Sequence, residues 1–274
     1  MGYFQAILLG TVQGLTEFLP VSSSAHLILA RLLLGLDADR LGLAFDVACH
    51  VGTLLAVVGF FRADLMAMAR VAPGLLRRPL WPDDGPGRQL RLVIVGTLPV
   101  VVAGLLAAGA IETALRTPWV VVATLTLVGV LFLVVEAVGA RSRDEGSIGA
   151  GEALAIGAAQ ALALIPGVSR SGATITLGMF LGLRRDAAAR FSFVLGVPAI
   201  LAAAVHEGLG LARVGLTAGE AGIFLVGMGV SAVVGYVAIK YFLKYVVNHT
   251  LAVFAWYRIA LASVTVAWLV ISRG

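Results

Sequence analysis

At 274 residues, with 60% hydrophobic and only 13% charged residues and a mean hydropathy of +1.00, this chain is no water-soluble domain, in which about a quarter of residues are charged. It reads as a polytopic α-helical membrane protein, because the alternating strands of a closed barrel do not occur in it. The net charge of +5 sits almost wholly on arginines between apolar stretches, which suits anionic lipid headgroups and requires no nucleic acid; the single Cys49 excludes an internal disulfide.

Apolar stretches fall near 3–19, 23–36, 43–61, 90–110, 118–139, 150–165, 171–183, 190–207, 220–240 and 249–271. No basic segment precedes the first, so a cleavable signal is not expected and the stretch is retained. Crossing the hydrocarbon takes about 20 residues. The stretches 43–61, 90–110, 118–139, 190–207, 220–240 and 249–271 are therefore predicted to be full spans. The other four run only roughly 20–25 Å at the helical rise. They fall in two pairs, each interrupted by proline and serines. We read both pairs as re-entrant hairpins with tips inside the membrane, where irregular backbone persists only against a polar cavity. The expected fold class is an all-α polytopic membrane protein, about six full spans plus four half-helices in one domain, 1–274.

The first break, Gln13–His26, reads Q-G-L-T-E-F-L-P-V-S-S-S-A-H. Pro20 lacks an N–H and pushes Leu19 out of helical conformation. A new helix can start at Val21–Ser22, with serine as N-cap. Ser22 and Ser23 then lie one turn below His26. Lipid makes a carboxylate, three hydroxyls and an imidazole expensive, so a chain that groups them is expected to use them. Glu17, one turn before the break, is expected to hold a hard divalent cation or to act as a base toward a serine or water. His26 is expected in acid/base work, although a buried histidine satisfied by a carbonyl is the plainer alternative. One of Ser22, Ser23 and Ser24 caps the helix and leaves the others for substrate. Asp46 and His50, four apart near the end of the 43–61 helix, either support this break or lie at the interface.

The second break reads I-P-G-V-S-R-S-G-A-T. Arg170 lies between two apolar helices where no loop explains it, and its fork suits phosphate. A structural pair with Glu17 is the competing reading, and both hold before a substrate arrives. Ser169 and Ser171 flank it, Gly172 allows close approach, and Thr174 adds a hydroxyl a turn on. Gly178 to Gly182 reads as small-residue packing. Glu136, His206, Glu207 and Lys240 read as interfacial.

The two breaks look like copies offset by about 146 residues, as from Pro20 to Pro166, and Phe45-Asp46-Val47 recurs in place as Phe191-Ser192-Phe193. Paired interrupted segments in two halves, here approximately 1–117 and 118–274, point to a site at their interface; chance likeness of two Gly/Ser/Pro-rich breaks is the alternative. The arginine-rich loop 62–91 is placed in the cytoplasm. Counting from it puts Glu112–Thr117 and loop 207–219 outside, and Arg141–Arg143, Arg184, Arg185, Arg190, Lys240 and Lys244 inside. The hairpins then enter from opposite faces, the halves are inverted and both termini lie outside. Arg31 and Arg40, offset by Asp37 and Asp39, count against this.

Q-G-L-T-E-F-L-P-V-S-S-S-A-H and P-G-V-S-R-S-G-A-T resemble the two signature motifs of the undecaprenyl-diphosphate phosphatase family, also called bacitracin-resistance proteins. F-D-V-A-C-H-V-G-T-L-L-A and R-F-S-F-V-L-G-V-P-A-I resemble its intervening segments, so the likeness covers essentially the whole chain. The resemblance implies a bacterial plasma-membrane hydrolase that removes the terminal phosphate of undecaprenyl diphosphate at the outer face, recycling the carrier for cell-wall synthesis, and that depends on Mg²⁺ or Ca²⁺. It implies catalytic roles for Glu17, Ser23, His26 and Arg170, and substrate contacts from the surrounding Ser22, Ser24, Ser169, Ser171 and Thr174; Gln13 is expected to join those contacts. Many members have glutamate where this chain has Gln13. A metal site needing two carboxylates from this stretch is weakened, and Asp46 becomes the alternative second acid beside Glu17.

In the expected mechanism, Arg170 and the N–H groups at both tips hold the diphosphate. Glu17 holds the ion or removes a proton, Ser23 attacks phosphorus or orients a water, and His26 moves the proton. Expected partners are the lipid diphosphate and membrane lipid; a homodimer is allowed but not specified. The competing class is a transporter or flippase for a phosphorylated lipid. The serine–histidine pairing favours the enzyme, since transport needs no acid/base pair. A non-catalytic scaffold would leave Glu17, His26 and Arg170 unexplained.

Overall fold

The computed structural model describes residues 2–36, 40–75, 85–212 and 217–271. Among these, regular structure is helical: eleven α-helices and one 3-10 turn, Glu145–Ser147. Five helices hold stretches long and apolar enough to cross a bilayer: α5 (Gly85–Ala114), α6 (Pro118–Val138), α9 (Arg185–Ala212), α10 (Ala218–Asn248) and α11 (Ala252–Ile271). They match five of the six predicted spans. The sixth, 43–61, is α3 (Arg40–Phe60), which meets that criterion only together with α4 (Arg62–Leu75), from which an 83° bend separates it. Large apolar side chains face outward, as Leu105 and Leu106 do at 82% exposure each, which fits lipid rather than water as the surrounding medium.

Helix α4 corrects the reading of 62–91 as a loop. Arginine density suggested a loop, but Leu65, Met68, Ala69 and Ala72 recur at helical spacing and line an apolar groove against α5 and α9. The charged residues Arg62, Asp64 and Arg70 occupy the remaining positions. Glu136, read as interfacial, is half-buried in the last turn of α6. It accepts from Arg185 Nε at 2.8 Å, from Arg141 at 2.6 Å and from the Leu251 N–H at 2.8 Å, joining α6 to the start of α9 and to the residue just before α11. Helix α10 runs past the predicted span end at Lys240, through Lys244, to Asn248. The expectations placed on Asp37, Asp39 and residues 76–84 of the predicted loop, and on the side chains of Arg40, Glu112, His206 and Glu207, lie outside the described residues.

The four short helices are α1 (Tyr3–Phe18), α2 (Ser23–Leu33), α7 (Ala150–Leu162) and α8 (Arg170–Phe180). Helices α1 and α2 pack on each other, as do α7 and α8, while α1 lies along α10 and α7 along α5. Small residues permit the closest of these approaches. A Cβ at Gly10 of α1 would stand 2.7 Å from the Gly227 carbonyl oxygen of α10, and Gly157 of α7 abuts Gly96 of α5 just as tightly. Gly178 packs against Ala188 as expected, but Gly182, at φ +87°, is the residue that ends α8. Beneath the first break, Phe18 meets Phe193 edge-on with centroids 5.3 Å apart, and Phe61 and Phe242 extend the cluster.

Candidate functional site

The break after α1 forms as local chemistry dictates. Leu19, ahead of Pro20, is extended at ψ 139° and closes α1. Ser22 starts α2 as N-cap, its Oγ accepting the Ala25 N–H at 3.4 Å. After α7 the chain turns through Pro166 and Gly167, and Ser169 caps α8, accepting the Gly172 N–H at 3.0 Å. Both serines have positive φ, 74° and 72°. Gly167 is required at its position: its φ is +88°, and any Cβ would collide with the Thr124 hydroxyl. The two tips touch, the Gly167 N–H donating to Ser24 Oγ at 3.3 Å.

Glu17 is the centre of the site. It is buried, and Arg170 donates to its Oε1 at 3.2 Å across the two breaks. Its Oε2 accepts the Ser23 hydroxyl at 2.7 Å and the Gln13 amide at 3.0 Å. His50 Nε2 stands 3.7 Å from the same oxygen. A serine hydroxyl on a carboxylate, with a guanidinium on the other oxygen, can deliver a nucleophile to a bound anion. Arg170 also donates to the Ser192 carbonyl at 3.2 Å, and the missing side chain of Gly196 makes room for its guanidinium. Its Nε, like Gln13 Oε1, is buried without a hydrogen-bond partner among the described residues.

His26 takes the Ser22 carbonyl and Tyr257 as its partners. Its Nδ1–H donates to the Ser22 carbonyl at 2.7 Å, so the neutral ring presents Nε2 as acceptor, and Tyr257 O–H fills it at 2.7 Å. The expected pairing of imidazole with the Ser22 and Ser23 hydroxyls is thus replaced by one backbone bond and one phenol. Ser171 and Thr174 are buried. The Ser171 hydroxyl lies 3.3 Å from both the Glu17 and Leu19 carbonyl oxygens, stitching the tips together. Thr174 donates to the Arg170 carbonyl at 2.8 Å and meets Ser192 Oγ at 2.6 Å. Both hydroxyls hold the scaffold where substrate contact was expected. Ser169 is a cap, with Ser171 Oγ 3.3 Å from its own Oγ. Ser22, likewise a cap, lies 3.2 Å from Ser24 Oγ.

Asp46 does not join Glu17. Arg31 donates to it at 2.5 Å and Arg116 lies at 3.8 Å, so its oxygens are committed to guanidinium groups. No group of three or more His, Cys, Asp or Glu that could hold a metal occurs among the described residues. The donors that suit a hard divalent cation are the Glu17 carboxylate and the orphaned Gln13 Oε1, one helical turn apart; phosphate oxygens and water would supply the rest. Beside this cluster lies a cavity of about 350 Å³, its polar end formed by Ser24, Asp46, His50 and Arg116 and its wall by Leu27, Ile28, Leu164 and Pro166. A larger cavity of about 550 Å³, among Asp64, Arg88, Glu145 and Arg190, is lined by charges that pair with one another or with backbone.

Two residues of α11 went unread in the sequence. Tyr257 holds His26, and Arg258 is wholly buried, donating to carbonyls of both breaks and of α6. The signal for Arg258 was the one that exposed Arg170: an arginine inside an apolar run.

The family described as bacitracin resistance protein BacA matches residues 6–264 of the chain. A protein of Rubrobacter xylanophilus named undecaprenyl-diphosphatase is 52% identical over 267 residues, covering 97% of this chain and 98% of its own. Proteins of the same name from Thermomicrobium roseum and Trichlorobacter lovleyi are each 44% identical, over 96% and 95% of this chain and 97% and 94% of theirs.

Proposed function

Because the chain belongs to the bacitracin resistance protein family, we propose that it is an integral-membrane undecaprenyl-diphosphatase. It cleaves the terminal phosphate from a polyprenyl diphosphate, returning the carrier monophosphate to cell-wall synthesis and thereby conferring bacitracin resistance. The observation that carries this reading is the Ser23 hydroxyl 2.7 Å from a Glu17 oxygen whose partner oxygen is 3.2 Å from Arg170.

Chemistry follows from those contacts. The terminal phosphoryl group takes Arg170 from Glu17, so the guanidinium offsets charge that spreads over phosphoryl oxygens in the transition state. Freed of that pairing, Glu17 accepts the Ser23 proton. Ser23 Oγ then bonds to phosphorus as the bridging P–O bond breaks, and the lipid monophosphate leaves. Water cleaves the phosphoserine, returning the proton to Ser23 and releasing inorganic phosphate. In the alternative, Ser23 orients a water that attacks directly; trapping a phosphorylated Ser23 separates the two. A Mg²⁺ or Ca²⁺ ion held by Glu17 and Gln13 would neutralise phosphate charge. His26 reaches substrate only once Tyr257 has released it.

Our reading of the architecture is an inverted repeat with two re-entrant hairpins. Its supports are the matching serine caps, the likeness of the α1–α2 and α7–α8 pairs, and the parallel packing of α1 on α10 and α7 on α5. The arginine distribution supports a catalytic face and both termini on the outer side. Phosphate release from the detergent-solubilised protein, with and without a chelator, tests the function. A protein that binds the lipid diphosphate and releases no phosphate would be a carrier instead, and release unaffected by chelation would remove the metal.

A further inference from the structure

Arg258 is the largest fully buried side chain of the molecule among the described residues, at 0% exposure. It has no carboxylate within ion-pair distance there. A buried guanidinium without a counter-ion is costly unless its N–H groups are matched by acceptors. Here carbonyls match them. Nε donates to Leu125 O at 3.3 Å, and one terminal nitrogen to Pro20 O at 3.2 Å. The other lies 2.7 Å from Gly167 O and 3.2 Å from both Thr124 O and Val168 O. Pro20 precedes the Ser22 cap by two residues, and Gly167 and Val168 lead directly into the Ser169 cap. Both caps hold φ values a serine rarely adopts, 74° and 72°, and such backbone persists only where its surroundings over-determine it.

We propose that Arg258 is a positioning residue for phosphoryl transfer: it clamps the two breaks to each other and to α6, and so sets the distance between Ser23 with Glu17 on one tip and Arg170 on the other. The inference rests on the phosphatase reading for its kinetic test. Arg258 does not touch substrate, since its guanidinium is spent on backbone oxygens. No other residue type fits the position. Lysine carries the charge as a single point and cannot span acceptors on three segments, and a neutral side chain leaves several buried carbonyls without donors.

The test uses the full chain, purified, with undecaprenyl diphosphate as substrate. Arg258→Lys, isolated as a monodisperse species, should lose about 100-fold in kcat with KM within about threefold, because misplaced charge costs transition-state stabilisation more than ground-state binding. Adding ethylguanidinium to Arg258→Ala should restore part of the lost kcat. A second measurement needs no activity: the rate at which a methanethiosulfonate reagent labels Ser24→Cys, the native Cys49 being buried. In the Arg258→Lys background that rate should rise roughly tenfold as the tip opens more often. The proposal is overturned if kcat per folded Arg258→Lys molecule stays within threefold of the parent, or if labelling is unchanged. Should the parent itself release no phosphate, the phosphatase reading fails, and the labelling rate alone still decides the clamp.

Discussion

At Ser22 and at Ser169 the chain enters a short helix through the same unusual backbone, φ 74° and 72°, and each serine accepts the N–H three residues on. Each cap follows a proline, and Arg258 grips the carbonyls just ahead of each cap. What the two tips carry is opposite. The first supplies a carboxylate and the hydroxyl that donates to it; the second supplies the guanidinium that faces them. Two breaks of like backbone with divided chemistry place opposite charges at contact distance among apolar helices, where each would be costly alone.

The largest expected effect separates the halves of that division. Glu17→Gln keeps shape but removes the proton acceptor, and should lower phosphate release by about a thousandfold or more with KM little changed. Arg170→Lys keeps the charge but loses the fork, and should cost about a hundredfold. Exchanging the two, Glu17→Arg with Arg170→Glu, should bring the thermal midpoint nearer the parent than either single reversal does, by restoring an ion pair. It should stay inactive, because Ser23 would then face a cation. An active exchanged protein would break the claim that the tips have distinct roles. Tyr257→Phe acts on the first tip alone: freeing His26 Nε2 should change kcat by up to about tenfold, read in the same assay. The smallest effect tests the shared backbone. Ser22→Gly and Ser169→Gly each lose a cap and relieve a positive φ, so both should shift stability by no more than about 1 kcal/mol, and alike. A large difference between them in thermal unfolding would mean that the scaffolds are not equivalent.

Much of this was legible in the chain. Pro20 ends α1 at Phe18, Ser22 caps α2, and an arginine and a glutamate stranded in apolar runs find each other, since lipid leaves them few other solutions. Helix α4 was missed because arginine density was taken for a loop, although its apolar residues keep helical spacing. Asp46 was offered as a second acid for the metal, yet Arg31, from fifteen residues earlier, holds it. Ser171 and Thr174 carry the right groups for phosphate and use them on neighbouring helices.

By itself the sequence determined where helices stop and restart and which residues could not be left in lipid. Those outcomes rest on near neighbours: a missing N–H, a hydroxyl three residues from an amide, a charge within an apolar run. Only the tertiary structure decided which partner each polar group takes. Tyr257 reaches His26 across 231 residues and Arg258 reaches Pro20 across 238. Such pairings depend on how helices pack, which periodicity along one helix does not encode, and they determine that Ser23 meets a carboxylate while His26 meets a phenol.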